Sequence, residues 1–194
     1  MPVKAPPLIL ASTSRYRAEL LRRLGLPFDA VAPAADETPL EGEAPAALVQ
    51  RLALLKAANV VDRHPDSVVI GSDQVATFDG QIIGKPGSPE RAVAQLRRAS
   101  GRDVTFLTAV CVQHGARKCA TMDVTRVAFR DLEDQEIERY VAAEQPLDCA
   151  GSFKAEGLGI TLFEQIDAKD PTGLIGLPLI WLSHALRTMG YRLP

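Results

Sequence analysis

Two polar stretches gather most of the residues that could do chemistry. The first follows the apolar run Leu8-Ile9-Leu10 and sets Ser12 and Ser14 ahead of Arg15, Tyr16 and Arg17. Where such a stretch opens a helix, unpaired backbone N–H groups and the helix dipole favour an anion, and nearby arginines add charge-assisted donors. The pattern makes a phosphate seat; read blandly, it is a serine N-cap followed by solvated arginines. The second stretch follows Ser67-Val68-Val69-Ile70-Gly71 and begins Ser72-Asp73-Gln74. A carboxylate leaving a buried strand needs a partner or a task, the alternative being a strand-end cap or Asx turn. Asp36 and Glu37 add carboxylates in a long polar loop, while Lys56 and Lys85 add cations that are ordinarily solvated. Hydrolysis of a nucleotide phosphoanhydride needs this mixture: cations and a divalent metal spread the phosphate charge, and a carboxylate positions or deprotonates water.

The elements that must position these residues follow from hydrophobic period. Leu8 to Leu10 reads as a buried strand, residues 11–14 as a turn, and Leu20, Leu21 and Leu24 recur at helical spacing until Gly25. Residues 26–33 read as a second strand ended by Pro33, and residues 34–45 as a polar loop. From Pro45 a helix carries Leu48, Leu52, Leu55 and Val60 on one face. Residues 67–71 form a central strand leading to a hairpin about Asp79-Gly80, which puts Asp73 at a strand end. Ser88-Pro89-Glu90 opens a helix closed by Gly101, and residues 103–113 and 121–130 form a long hairpin. A helix over 132–145, a glycine-spaced loop over 147–159, a strand over 160–166 and a terminal helix over 174–190 complete the chain. Such βα units mixed with hairpins predict an α/β protein with a mixed twisted sheet flanked by helices, whose ligands gather at strand ends.

Composition narrows the function. The 194 residues suit one domain over 1–194, and a net charge of −2 argues against a nucleic-acid polymer as partner. Cys111, Cys119 and Cys149 form no CxxC pair, and His64, His114 and His184 are scattered, so neither a disulfide framework nor a metal ribbon is expected. The opening apolar stretch is too short for a signal or membrane span, and a reducing cytoplasm fits.

The segments LILASTSRYRAELLRRLGLPFDAVAPAADET, RLALLKA, GSDQV, GKP, AGSFKAEGLGI and GLPL occur in this order along nearly the whole chain. In that order they resemble the signatures of the Maf nucleotide pyrophosphatases. The resemblance implies an elongated two-lobed fold related to inosine-triphosphate pyrophosphatases, with a nucleotide substrate in a central cleft. It also implies cleavage of a nucleoside triphosphate to monophosphate and pyrophosphate with a divalent cation such as Mg²⁺, Mn²⁺ or Co²⁺. By position, Asp73 matches the family's proton acceptor; Ser12, Arg17, Lys56 and Lys85 match phosphate-side residues, with Ser14 in the same seat. Glu37, with Asp73, matches the metal side.

Tyr16, Gln74 and Glu156 resemble the subgroup acting on 7-methyl-GTP. The dTTP/UTP subgroup carries arginine, threonine or lysine, and glutamine at those places. An aromatic face attracts the cationic 7-methylguanine, and a carboxylate can accept both N1–H and N2–H₂ of a guanine edge. Two positions depart from the family: Arg15 stands where relatives have proline, and Gly173 where they often have a polar side chain. The competing expectations are a pyrimidine-selective enzyme and a nucleotide-binding regulator of septum formation; a homodimer is also expected as an option.

Overall fold

In the computed structural model, which describes residues 5–194, the first strand β1 (Leu8–Ala11) is buried along its whole length. It turns into α1 (Arg15–Arg22), which buries Ala18, Leu20 and Leu21 and ends before Gly25. Strand β2 is only Asp29–Ala30, much shorter than the residue 26–33 strand that the composition predicts. Pro27 and Pro33 explain the difference, since proline donates no ladder hydrogen bond.

Helix α2 (Pro45–Val61) has proline in its first turn. Its buried stripe runs Leu48, Leu52, Lys56, Val60, whereas Leu55, expected on that face, is 37% exposed. A lysine therefore holds a core position. Strand β3 (Val68–Phe78) is continuous and meets the short β4 (Gln81–Ile83), so Asp73 lies within a strand and not at its end. The expected strand end is nevertheless the end of something: parallel pairing of β1 with β3 stops at Ala11 and Gly71. Beyond that point β3 continues without β1 beside it.

Helix α3 (Pro89–Ala99), capped by Ser88, leads to the long β5 (Asp103–His114) and β6 (Arg117–Phe129). Helix α4 (Asp134–Glu144) opens with a reciprocal capping box between Glu133 and Glu136. Two 3₁₀ turns, Ala150–Ser152 and Leu158–Leu162, precede β7 (Phe163–Ala168). Residues 160–162, expected in the strand, are thus taken by the second turn. The last helix, α5 (Leu179–Thr188), starts after Pro178, later than the predicted residue 174. Turns at residues 171–176, with Gly176 at φ +118°, hold the intervening chain out of helix.

The seven strands form one mixed sheet in the order β2-β1-β3-β5-β6-β7, with β4 pairing β3. Pairing is parallel for β1 with β2 and β3, and antiparallel for β3 with β4 and β6 with β7. The chain divides into two compact units, each assembled from separated segments: Met1–Gln74, Thr108–Asp123 and Asp170–Pro194 in one, Val75–Leu107 and Val124–Lys169 in the other. The first unit's core packs Leu8, Leu10, Leu20, Ile70, Leu182 and Leu186. In the second, Phe106, Phe129, Phe153 and Phe163 meet edge to face with centroids 4.7–5.6 Å apart.

Candidate active site

Where β1 ends, its neighbour β3 carries on, and that offset puts Ser12 beside the start of Ser72-Asp73-Gln74. The buried Ser12 hydroxyl accepts from the backbone N–H of Ser14 (3.1 Å) and from an Arg17 guanidinium N–H (3.4 Å). Ser14 is the N-cap of α1, its hydroxyl accepting from the Arg17 backbone N–H (3.4 Å). Of the two serines, Ser14 thus performs the bland capping role, which itself fixes the first turn carrying Tyr16 and Arg17.

Lys56 reaches the same strand from α2. The approach depends on Gly71: a Cβ there would stand 2.3 Å from the Ala53 carbonyl oxygen and 2.6 Å from the Ala57 nitrogen. With glycine the helix backbone lies directly on the strand. Lys56, only 5% exposed, then donates to Asp73 Oδ1 at 2.7 Å and pairs with Glu37 Oε2 at 3.0 Å. Asp73 is buried as well, whereas the Glu37 side chain is 57% exposed. One ammonium therefore neutralises a buried carboxylate and touches a wet one.

The acidic loop carrying Glu37 is clamped to the same helix. Arg51 donates to both carboxylate oxygens of Glu43 (2.6 and 2.7 Å) and to the Thr38 carbonyl (3.1 Å). Its hydrogen bond holds the Glu43 carboxyl down at about 2. Asn59 completes the anchorage by exchanging two hydrogen bonds with the backbone of Ala34. Asp36 turns inward on its own loop, accepting from Thr38, and that bond lowers its pKa.

Arg17 Nε donates to the Gly176 carbonyl at 3.0 Å. Burial pulls the guanidinium's pKa down, while the carboxylates of Asp73 and then Glu37 pull it back up. The Gly176 carbonyl also lies 3.0 Å from the Ser72 hydroxyl, itself 2.9 Å from the Ala109 carbonyl. The Gly176 carbonyl thus ties its loop to both the strand and the arginine. Gln74 joins this arrangement: its amide nitrogen stands 2.8 Å from Thr108 Oγ1 and 3.0 and 2.9 Å from the carbonyls of Gly173 and Leu174. Gly173 leaves no room for a side chain, since a Cβ would meet the Asp123 carboxylate at 2.2 Å.

Tyr16 receives a hydrogen bond from Arg15 at 2.7 Å, and the same guanidinium lies 4.8 Å from the ring centroid. Ser12, Ser14, Tyr16, Arg17, Glu37, Lys56, Asp73 and Gln74 all belong to the first unit. Lys85 and Glu156 belong to the second, where both are exposed, Lys85 in the loop after β4 and Glu156 on a turn. Sequence reading did not nominate Ser72, Thr108, Arg51 or Glu43. Only Arg51 carried a signal, as a cation on the helix that follows an acidic loop.

Among the described residues no group of three or more His, Cys, Asp or Glu could hold a metal ion. Glu37 and Asp73 do converge within 3.0 Å on one ammonium, a point of positive charge bounded by two carboxylates. Mg²⁺ ordinarily takes one or two carboxylates and completes its shell with water and substrate phosphates. The pair fits an ion that arrives with a nucleotide. Cys111 and Cys119 are free thiols, and Cys111 is pushed up to about 12 by burial. No helix among the described residues is long and apolar enough to cross a membrane.

Residues 7–189 match the family model described as Maf-like protein. The chain is 57% identical over 189 residues to the 7-methyl-GTP pyrophosphatase of Xanthomonas oryzae pv. oryzae strain MAFF 311018, covering 97% of this chain and 100% of that one. It is 56% identical over 190 residues to the protein of that name from Bordetella pertussis, covering 98% and 96% of the two chains. Among solved structures, that of the Staphylococcus aureus Ham1 protein shares the fold with a TM-score of 0.53 at 13% identity, covering 94% of this chain and 98% of that one.

Proposed function

The chain belongs to the Maf family, and from that premise we infer that it is a nucleoside triphosphate pyrophosphatase that hydrolyses 7-methyl-GTP to 7-methyl-GMP and diphosphate. The observation that carries the reading is the meeting of Asp73, Lys56 and Glu37 beside Arg17, in a chain 57% identical along 97% of its length to a protein bearing that activity's name.

The chemistry asked of these groups is simple to state. A water oxygen attacks the α-phosphorus, the bond to the bridging oxygen breaks, diphosphate leaves, and a water proton passes to the Asp73 carboxylate. Lys56 stays paired with Asp73 and offers its remaining N–H to a phosphate oxygen. Arg17, held by Gly176 and Ser12, presents its guanidinium in one orientation, and the oxygens of an anion accept from the N–H groups that burial has stripped of water. Lys85 supplies a further phosphate contact. Glu37 and Asp73 would hold a divalent ion, which would supply neutralisation of the triphosphate charge when bound.

For the base, Tyr16 offers an aromatic face to the cationic 7-methylguanine. Glu156 accepts from the guanine N1–H and N2–H₂, and Gln74 completes the purine-side triplet. The enzyme works in the cytoplasm, where free thiols persist. The test is to measure diphosphate release by the purified protein from 7-methyl-GTP, GTP, UTP and dTTP with Mg²⁺, Mn²⁺ and Co²⁺. The highest kcat/KM is expected for 7-methyl-GTP with a divalent ion present. Faster turnover of UTP or dTTP overturns the specificity, and turnover unaffected by chelation overturns the metal.

A further inference from the structure

Glu156 lies on a turn whose two sides are tied to the last residue of α4. Glu144 holds Lys154 twice, through its backbone carbonyl, which accepts from Lys154 Nζ at 2.7 Å, and through its carboxylate at 3.4 Å. The other carboxylate oxygen accepts from the Leu158 backbone N–H at 2.8 Å. Both side chains are largely buried, 17% exposed for Glu144 and 14% for Lys154. One helical turn earlier, the Tyr140 hydroxyl accepts from the Lys154 backbone N–H at 3.1 Å. Inside the turn the Gly157 N–H donates to the Lys154 carbonyl at 3.2 Å. A Cβ on Gly157 would stand 2.6 Å from the Glu144 carboxylate, so a side chain there would displace it.

Residues 154, 157 and 158 are therefore fixed, while the side chain of Glu156 between them is left exposed. A carboxylate that must accept two N–H groups of one base edge gains selectivity only if its backbone is already in place. Glu144 contributes no exposed group of its own, and every contact it makes within the turn falls on a residue flanking Glu156.

We propose that Glu144 is a positioning residue for base selection, acting with Lys154 to hold the turn from which Glu156 meets the guanine edge. The proposal rests on the reading of Glu156 given above. A clasp of this kind works on discrimination, not on the hydrolytic step, because Asp73, Lys56 and Arg17 are built from other segments of the chain.

The experiment measures kcat/KM for 7-methyl-GTP and for UTP in wild type, Glu144→Ala, Glu144→Gln, Glu156→Gln and the double variant Glu144→Ala/Glu156→Gln. Glu144→Ala is expected to lower the ratio of 7-methyl-GTP to UTP about tenfold, mostly through KM. Glu144→Gln keeps a carbonyl to accept from Leu158 and is expected to restore most of the ratio. Adding Glu144→Ala to Glu156→Gln is expected to change the ratio less than twofold further, since both act through one carboxylate. Equal losses for both nucleotides in Glu144→Ala, without rescue by glutamine, reduce the clasp to scaffolding and overturn the proposal. If Glu156→Gln lowers the ratio and Glu144→Ala does not, the proposal alone fails. If Glu156→Gln leaves the ratio unchanged, the base reading fails and takes the proposal with it.

Discussion

Removing the Lys56 ammonium tests the charge arrangement at the centre of the site. Lys56 and Asp73 are both nearly enclosed, with side chains 7% and 10% exposed and 2.7 Å apart. Breaking a buried pair by deleting one partner costs about 3–5 kcal/mol, because the surviving charge stays buried without compensation. The second contact, to Glu37, counts for little: that side chain is 57% exposed, and wet pairs contribute about 0–1 kcal/mol. Lys56→Met keeps the aliphatic stem packed on the stripe of α2, so its loss is expected to be close to the uncompensated charge of Asp73. Asp73→Asn is milder, about 1–3 kcal/mol, because Lys56 retains Glu37. The double variant leaves neither charge buried, and the two changes together are expected to cost less than their sum by about 2–3 kcal/mol.

Equilibrium urea unfolding at pH 7.5 with chelator present measures all four proteins. Trp181, the single tryptophan, lies on α5 in the same compact unit as the pair, so its fluorescence follows the part of the molecule concerned. Single variants whose costs add within about 0.5 kcal/mol would refute the reasoning, since additivity means the two groups do not feel each other. A Lys56→Met protein as stable as wild type would show that water reaches Asp73 well enough to replace the ammonium.

Two further perturbations probe what holds the site's edges. The Arg51 hydrogen bond lowers Glu43 from its ordinary value of 4.5 to about 2, so the clamp's contribution is complete above the ordinary value and is lost as pH falls through the interval to about 2. Thermal midpoints of wild type and Glu43→Gln are therefore expected to converge between pH 4.5 and 2.5; a gap that stays constant over that range speaks against the clamp. Gln74→Ala removes the donor facing Thr108, Gly173 and Leu174, and amide hydrogen exchange over residues 172–177 is expected to speed up about tenfold or more. Unchanged protection there would show that the loop stands without the glutamine.

The grouping of Ser12, Ser14 and Arg17 was readable in the sequence because they are neighbours in the chain, falling within one turn of a helix start. Lys56 enters through the family resemblance, because the sequence alone draws the helix face through Leu55 and leaves the lysine solvated; the spacing of four that joins Leu48, Leu52, Lys56 and Val60 in one buried stripe emerges only in the structure. That the carboxylate is Asp73 depends on the closeness of α2 to β3, which Gly71 permits and no periodicity reveals. The misplaced strand end at Asp73 has the same origin, because the run of Val68-Val69-Ile70 stops while the ladder continues with β4.

Gln74 shows most clearly what residue types conceal. The family resemblance groups it with the specificity residues Tyr16 and Glu156, and its amide nitrogen is aimed at acceptors 34, 99 and 100 positions away in the chain. Those carbonyls belong to the segment whose Gly176 oxygen receives both Arg17 and Ser72. Alternating side chains along β3 put Ser72 and Gln74 on one face of the strand and Asp73 on the other. The strand thus serves the Gly173–Gly176 loop from one face while offering its carboxylate to Lys56 from the other. A change at position 74 is consequently felt first in the loop carbonyls, and through Gly176 in the orientation of the Arg17 guanidinium.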